Sequence, residues 1–79
     1  MSHHHDASAS HAERALRAAG LRVTSPRVAT LEAVHGHAHA DTDTVITQAR
    51  RRLTDVSHQA VYDVLRALTA AGLVRRIQP

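Results

Sequence analysis

The sequence predicts a mainly α-helical domain built around a helix-turn-helix, and three observations support this fold class. The segment from Ser57 to Gly72 combines a residue suited to cap a helix, apolar residues spaced as i, i+3, i+4, i+7, and a glycine that can end a helix. A second segment with helical spacing, 41–53, lies just before it. The chain of 79 residues contains no Phe or Trp. Its single small core must therefore come from Leu, Val, Ile and Ala, which suits small packed helices.

The first helix is predicted to follow a disordered tail. Residues 1–9 are small, polar and without periodicity, and their three histidines resemble a clipped affinity tag or a weak metal-binding tail, with no function expected. Ser10 and Glu13 form the capping-box pattern S-x-x-E, so we expect the helix to begin there and to end at Gly20. Its apolar side is Ala12, Ala15, Leu16 and Ala19. Residues 21–23 are expected to form a short extended link.

The second and third helices have their own start signals. Ser25 is predicted to cap the second helix, with Pro26 at its first position and a buried stripe of Val28, Leu31 and Val34. Residues 35–40, with histidines at alternate positions, are predicted to be a loop. Asp41 is predicted to cap the third helix, whose core side is Val45, Ile46, Ala49 and Leu53.

The fourth helix carries the most informative pattern. Its buried face is predicted to be Val61, Val64, Leu65 and Leu68, and its other face to bring together His58, Gln59, Tyr62, Asp63 and Arg66. A single tyrosine among hydrogen-bonding side chains near a helix start is typical of residues that contact base edges, because the first turns of a recognition helix enter the major groove. The alternative is a ring lying along the helix surface. We therefore expect a DNA-binding helix-turn-helix.

Charge is unevenly distributed along the chain. The net charge is +3, with ten Arg and no Lys. Residues 1–49 hold four Arg and five acids, giving −1, whereas residues 50–79 hold six Arg and two acids, giving +4. Arg50, Arg51 and Arg52 interact favourably with the third helix's dipole, and phosphate contact is an equal alternative. Although a basic end is often only a solvated surface, here it coincides with the proposed recognition helix, which favours nucleic-acid binding.

Several protein classes are disfavoured by what the sequence lacks. There is no cysteine, as expected in a reducing cytoplasm, and therefore no disulfide or thiolate metal site. No apolar run is long enough to span a membrane, and the N-terminus lacks the apolar core of a signal peptide. We find no nucleophile–base pair, paired carboxylates or glycine-rich phosphate loop, and predict that the protein is not an enzyme. We expect a cytoplasmic protein with no membrane partner.

Three motifs together resemble the ferric uptake regulator (Fur) family of metal-dependent repressors. They are LRVTSPR at 21–27, HADTDTV at 39–45 and VSHQAVYDVLRALTAAGLV at 56–74, and their order and separations also match. The resemblance covers about residues 10–79 and is closest to the branch linked to catalase-peroxidase expression and peroxide response.

The resemblance implies a winged helix-turn-helix DNA-binding domain followed by a dimerisation domain. For 10–79 we expect four helices plus the first wing strand at 73–77, with the wing incomplete and the chain truncated before the dimerisation domain. The implied partner is a pseudo-palindromic double-stranded DNA operator, bound by a homodimer in the full-length family. This chain by itself is expected to be mostly monomeric.

The resemblance also implies roles for individual residues. Tyr62 matches the tyrosine that packs against thymine methyl groups and bases, and Ser57 matches the cap before the base-contacting turn. Arg22 matches a basic residue that reaches into the minor groove, and Arg27 matches an arginine that holds the phosphate backbone. The alternative for both arginines is an ordinary solvated charge. His39 matches the one metal ligand that this domain contributes.

Two departures from the family pattern lie in the predicted fourth helix. Where many members have T-V-Y-R, this chain has A-V-Y-D over residues 60–63. A carboxylate that faces DNA repels phosphate, but it can accept a hydrogen bond from cytosine N4. We therefore expect the preference at that base to differ.

The metal and the alternative functions complete these expectations. The full-length family implies a divalent metal, Fe, Mn or Zn, but His39 alone is an incomplete site, and no metal is expected to bind this chain tightly. His35 and His37 are expected to be surface residues; a His-x-His-x-His site is the alternative, although a loop fixes no ligand geometry. The alternative function is a protein-interaction winged helix, or an interfering fragment without DNA binding of its own.

Overall fold

Four α-helices make up the regular structure of the described residues. The computed structural model describes residues 7–37 and 39–75. The helices are α1 (Ala7–Ala18), α2 (Ser25–Gly36), α3 (Thr42–Arg51) and α4 (His58–Ala70). Helix α2 is central, because it packs against each of the other three, and α3 also packs against α4. The predicted mainly α fold with four helices is confirmed. None of the described helices is long and apolar enough to cross a membrane.

The core is aliphatic, as the composition requires. All four helices contribute to one buried cluster, whose largest fully buried apolar side chains are Leu16, Leu31, Val45, Ile46, Val61 and Leu68. Partly buried residues, including Val28, Leu53 and Val64, pack around it. The core positions predicted for α3 and α4 are thus confirmed.

The buried surface of α2 is wider than the predicted stripe. Its buried residues are Ala29, Thr30, Leu31 and Ala33, whereas Val28 and Val34 are only partly buried. The reason is that α2 touches three helices, so its core-facing arc spans more than the single stripe expected of a surface helix.

Two helix starts differ from the predictions. Helix α1 begins at Ala7, so residues 7–9 are helical rather than disordered, and Ser10 lies inside the helix instead of capping it. The alanines there are strong helix formers, which allows the helix to extend past the expected start. Helix α2 is capped by Thr24 rather than Ser25: the Thr24 backbone is extended and its hydroxyl accepts from the Arg27 N–H at 3.3 Å. The other tail residues, 1–6, lie outside the described part.

The cap of α3 is the predicted one. Asp41 has an extended backbone, and its Oδ1 accepts from the Thr44 N–H at 2.8 Å. Hydrogen bonds from Thr44, led by its backbone N–H, lower the pKa of the exposed Asp41 carboxyl. The loop before this cap is shorter than predicted, because α2 continues through His35 and Gly36. The intervening link thus begins at His37.

Helices α1 and α4 end in the same way, at the predicted glycines. Gly20 and Gly72 have φ angles of +78° and +81°. The Leu21 N–H donates to the Leu16 carbonyl at 2.9 Å, and the Leu73 N–H donates to the Leu68 carbonyl at 3.0 Å. These are Schellman closures, in which a left-handed glycine lets the next residue satisfy a carbonyl of the last turn. Both closing leucines then pack against the core.

The predicted wing strand is not seen in the described residues. Residues 73–75 form no strand, and residues 76 and 77 lie outside the described part. The physical reason is that a strand requires a partner for its backbone hydrogen bonds, and residues 73–75 follow directly on the closure of α4. Val74 is nevertheless buried against the helices.

Thr30 is the position where we expect a substitution to stabilise the fold. Its side chain is fully buried, and its hydroxyl has no hydrogen-bond partner among the described residues. Thr30→Val replaces that hydroxyl with a methyl group at similar helix propensity. Because an unsatisfied buried polar group is costly, we expect the free energy of unfolding to rise by about 1 kcal/mol. Urea denaturation measures it.

Thr69 provides the matched control for this prediction. It is partly buried in α4, and its hydroxyl donates to the Leu65 carbonyl at 2.8 Å. Thr69→Val removes a satisfied hydrogen bond and should give no stabilisation. A fall in stability for Thr30→Val would mean that its hydroxyl does find a partner.

Candidate nucleic-acid interface

The turn between α3 and α4 is closed by hydrogen bonds within the chain. Arg50 Nε donates to the Val56 carbonyl at 3.0 Å, and the Leu53 N–H donates to the Arg50 carbonyl at 3.1 Å. Asp55 has φ of +56°, a left-handed conformation that reverses the chain there. These contacts fix where α4 begins relative to α3.

The arginine cluster at the end of α3 is therefore partly structural. Arg50 holds the turn, and Arg52 Nη1 lies 3.4 Å from Glu32 Oε1 of α2. Arg51 is exposed. The sequence alone left dipole stabilisation and phosphate contact equally open. The structure adds a third use, the positioning of α4, that neither alternative included.

The start of α4 is capped as predicted. The Ser57 backbone is extended, and its Oγ accepts from the Ala60 N–H at 3.0 Å. His58 Nε2 then lies 3.6 Å from Asp43 Oδ1 in the first turn of α3, with both side chains largely exposed. The first turn of α4 is thus fixed by the hydrogen bond from the Ala60 N–H to Ser57, and its side chains remain exposed to solvent.

The polar face predicted for α4 lies on the surface. Tyr62 is 38% exposed, and among the described residues it is the one large hydrophobic side chain that is exposed. Its neighbours on that face, namely His58, Gln59, Asp63 and Arg66, are also exposed. On the opposite side Val61, Leu65 and Leu68 are buried. The Tyr62 ring is therefore presented outward and is not buried in the core.

Two of the exposed side chains are joined. Gln59 Nε2 donates to Asp63 Oδ1 at 2.9 Å, across one turn of α4. The i, i+4 spacing could have shown that these two residues meet, but we expected only that they share a face.

Arg22 and Arg27 are brought together as well. Arg27 Nη1 donates to the backbone carbonyl of Arg22 at 2.8 Å. The Arg22 side chain is exposed, whereas Arg27 is partly buried. This bond spans the link before α2, and no sequence signal predicted it. Because a guanidinium has five N–H donors, Arg27 keeps donors for an anion.

The histidines of the described residues do not gather into one site. His39 is exposed between α2 and α3. His35, in contrast, sits on α2 with its ring centroid 5.7 Å from that of His11 on α1. Over residues 7–37 and 39–75, no three His, Cys, Asp or Glu side chains are arranged to hold a metal ion. Within the described residues His39 is a single candidate ligand, whereas a high-affinity site needs about four.

Comparison with known proteins identifies the family. The profile of the Ferric uptake regulator family matches residues 18–79. The chain belongs to this family. It is 70% identical over 64 residues to "Transcriptional regulator FurA" of Mycobacterium bovis (strain ATCC BAA-935 / AF2122/97), covering 81% of this chain and 44% of that protein. The match to the same-named protein of Mycobacterium tuberculosis (strain ATCC 25618 / H37Rv) has the same values.

A third relative comes from another genus. The chain is 69% identical over 64 residues to "Ferric uptake regulation protein 1" of Mycolicibacterium fortuitum, covering 81% of this chain and 40% of that protein. This Fur-family chain thus spans less than half the length of the curated relatives that it matches. No solved structure matches it. The resemblance drawn from the three sequence motifs is confirmed at the level of the family.

Metal titration tests the role assigned to His39. With His3, His4 and His5 replaced by alanine to remove their own metal affinity, Zn²⁺ and Mn²⁺ should show no submicromolar, stoichiometric site. The reason is that one imidazole cannot supply the ligands of such a site. Isothermal titration calorimetry measures it.

His37 serves as the control position for the metal titration. A submicromolar site that is lost in His39→Ala and kept in His37→Ala would contradict the prediction. It would mean that this chain completes the site with residues that we have not assigned.

Proposed function

We propose that this chain is a sequence-specific DNA-binding domain of a metal-dependent transcriptional repressor. The observation that carries the proposal is the exposed face of α4, with Tyr62 among hydrogen-bonding side chains directly after a capped and fixed helix start. The names of the relatives, a transcriptional regulator and a ferric uptake regulation protein, support it. Within the family we assign the chain to the peroxide-response branch, acting in the cytoplasm.

The shape of α4 suits entry into the major groove. One side is anchored by Val61, Leu65 and Leu68, so the opposite side can enter a groove about 12 Å wide without loss of core contacts. Residues of the first two turns then meet the base edges. We propose that Tyr62 packs against thymine methyl groups and bases. Ser57 is the cap just before the base-contacting turn.

Arginines beside the reading face would contact the DNA backbone and the minor groove. The hydrogen bond from Arg27 joins the first turn of α2 to the Arg22 carbonyl in the link before it. We assign Arg27 to phosphate and the exposed Arg22 to the neighbouring minor groove. Arg66, exposed on α4, adds a cation beside the reading face. The phosphate contacts provide affinity and orientation but carry no sequence information.

We further propose that a single copy of this chain engages one half of a pseudo-palindromic operator. A linked pair of such domains would gain about 10²–10⁴ in affinity, because the second contact becomes intramolecular. The isolated chain should bind in the micromolar range or more weakly. Its affinity should also fall steeply with salt, with a log–log slope of about 0.9 per neutralised phosphate. A protein-interaction module that binds through apolar surface would lack that slope.

Substitutions on α4 and at the link separate base contacts from phosphate contacts. Tyr62→Ala should weaken binding to a duplex enriched from a random pool much more than binding to random DNA, because the ring is assigned to bases. Arg27→Ala should weaken both similarly, since phosphates are the same in every sequence. Fluorescence anisotropy at one fixed salt concentration measures both.

Two control variants belong to this experiment. Arg14→Ala removes an equal charge from an exposed site on α1 and should change little. Tyr62→Phe retains the ring and should retain most of the preference. If Tyr62→Ala weakens binding to both duplexes equally while its helix content is unchanged, the assignment of Tyr62 to bases is contradicted. A stoichiometry of two chains per half-site would contradict the proposal that a single copy binds each half-site.

A further inference from the structure

The hydrogen bond between Gln59 and Asp63 fixes which atoms α4 presents to a ligand. An ionised carboxylate only accepts hydrogen bonds, so the amide nitrogen of Gln59, and not its oxygen, must face Asp63. Among the described residues, nothing bonds to Gln59 Oε1 or to the second of its two amide N–H groups, and Asp63 Oδ2 likewise has no partner there. The Gln59–Asp63 pair beside Tyr62 thus presents mainly acceptors.

This pattern matches some base edges and conflicts with others. In the major groove cytosine presents only an amino donor, and adenine presents an amino donor beside the N7 acceptor. Guanine presents two acceptors, N7 and O6, and thymine presents O4. A carboxylate brought against guanine or thymine would lose water and gain no partner, which is strongly unfavourable.

We propose that Gln59 and Asp63 act as one specificity-determining unit. Asp63 selects cytosine through N4, Gln59 selects adenine through N6 and N7, and the carboxylate excludes guanine and thymine at its own position. This inference rests on the proposed DNA-binding function and deepens it. The unit is coupled because an unrestrained glutamine amide can turn either its oxygen or its nitrogen to a base, whereas the bond to Asp63 removes that choice.

The pairing also explains how an acid is tolerated on a surface that faces phosphates. The Gln59 N–H gives Asp63 a charge-assisted hydrogen bond that persists when water is displaced. Asp63 still weakens binding to DNA of every sequence by repulsion. Its contribution must therefore appear as base preference and not as affinity.

The test compares base preferences selected from a randomised duplex pool by the whole chain and by two charge-matched variants. Asp63→Asn keeps the shape and an oxygen for Gln59 but adds N–H donors. Glu13→Gln makes the same charge change on α1, where Glu13 pairs with Arg17 at 3.9 Å, away from the face. Asp63→Asn removes repulsion at the reading face and should tighten binding to all DNA, whereas Glu13→Gln, like Arg14→Ala, should change affinity little. Base preference is therefore the readout that tests the unit.

We expect the wild-type chain and Glu13→Gln to exclude guanine and thymine at one position by at least about tenfold, the range of a good base contact. Asp63→Asn should lose that exclusion and accept guanine. Gln59→Ala should relax the adjacent adenine preference. The double variant Gln59→Ala/Asp63→Asn should lose less than the sum of the single changes, because the two side chains act together.

The outcomes distinguish this inference from the proposed function. If the wild-type chain enriches no sequence, the DNA-binding proposal fails and the reading unit fails with it. If the wild type enriches a motif and Asp63→Asn selects the same bases as Glu13→Gln, the DNA-binding proposal stands and the unit is overturned. Additive effects of the two single substitutions would likewise overturn the coupling.

Discussion

The packing of α2 against the other three helices is the constraint on which the rest of the structure depends. With no Phe or Trp in the chain, the buried side chains of the described residues are aliphatic apart from Thr30, so the helices must approach closely to exclude water. Leu31 of α2 belongs to the same buried cluster as Leu16, Ile46 and Leu68 from the other helices. A shift of α2 would therefore move α1, α3 and α4 together. The DNA-reading surface that we propose, composed of α4 and the link before α2, would require this rigidity.

Local hydrogen bonds fix the start of α4 and thereby position its exposed side chains. Arg50 closes the turn onto the Val56 carbonyl, and Ser57 caps the next helix at once. The exposed side chains of α4 therefore lie within the turns that directly follow a backbone segment fixed by these two hydrogen bonds. The hydrogen bond from Arg27 to the Arg22 carbonyl similarly fixes the backbone of the link before α2. In this account the side chains that meet bases and those that meet phosphates are positioned by separate contacts in one rigid body.

The sequence could predict features that depend on residues close together in the chain, and it could not predict contacts between distant segments. Asp41 and Ser57 were predicted as caps because a cap involves a side chain and an amide three residues on. The glycine helix ends were predicted for the same reason. The contact of His35 with His11 joins two helices and has no local signal. The strand at 73–77 was predicted from β-prone residues, but pairing depends on a partner segment, so the residue pattern could not decide it. Thr24 and Ser25 are adjacent cap formers, and only the backbone shows which one caps.

The most direct test of the account is to map the surface that DNA covers. Backbone amide resonances of the ¹⁵N-labelled chain would be followed by NMR as a half-site duplex, enriched by the wild-type chain, is added. The account predicts that the largest shifts fall on 58–66 of α4 and on 22–27, and that they fade as salt is raised. Helix α1 residues 12–16 and His39 should change little. Shifts concentrated on α1 or around His39, with α4 unaffected, would contradict the central claim that α4 reads the bases.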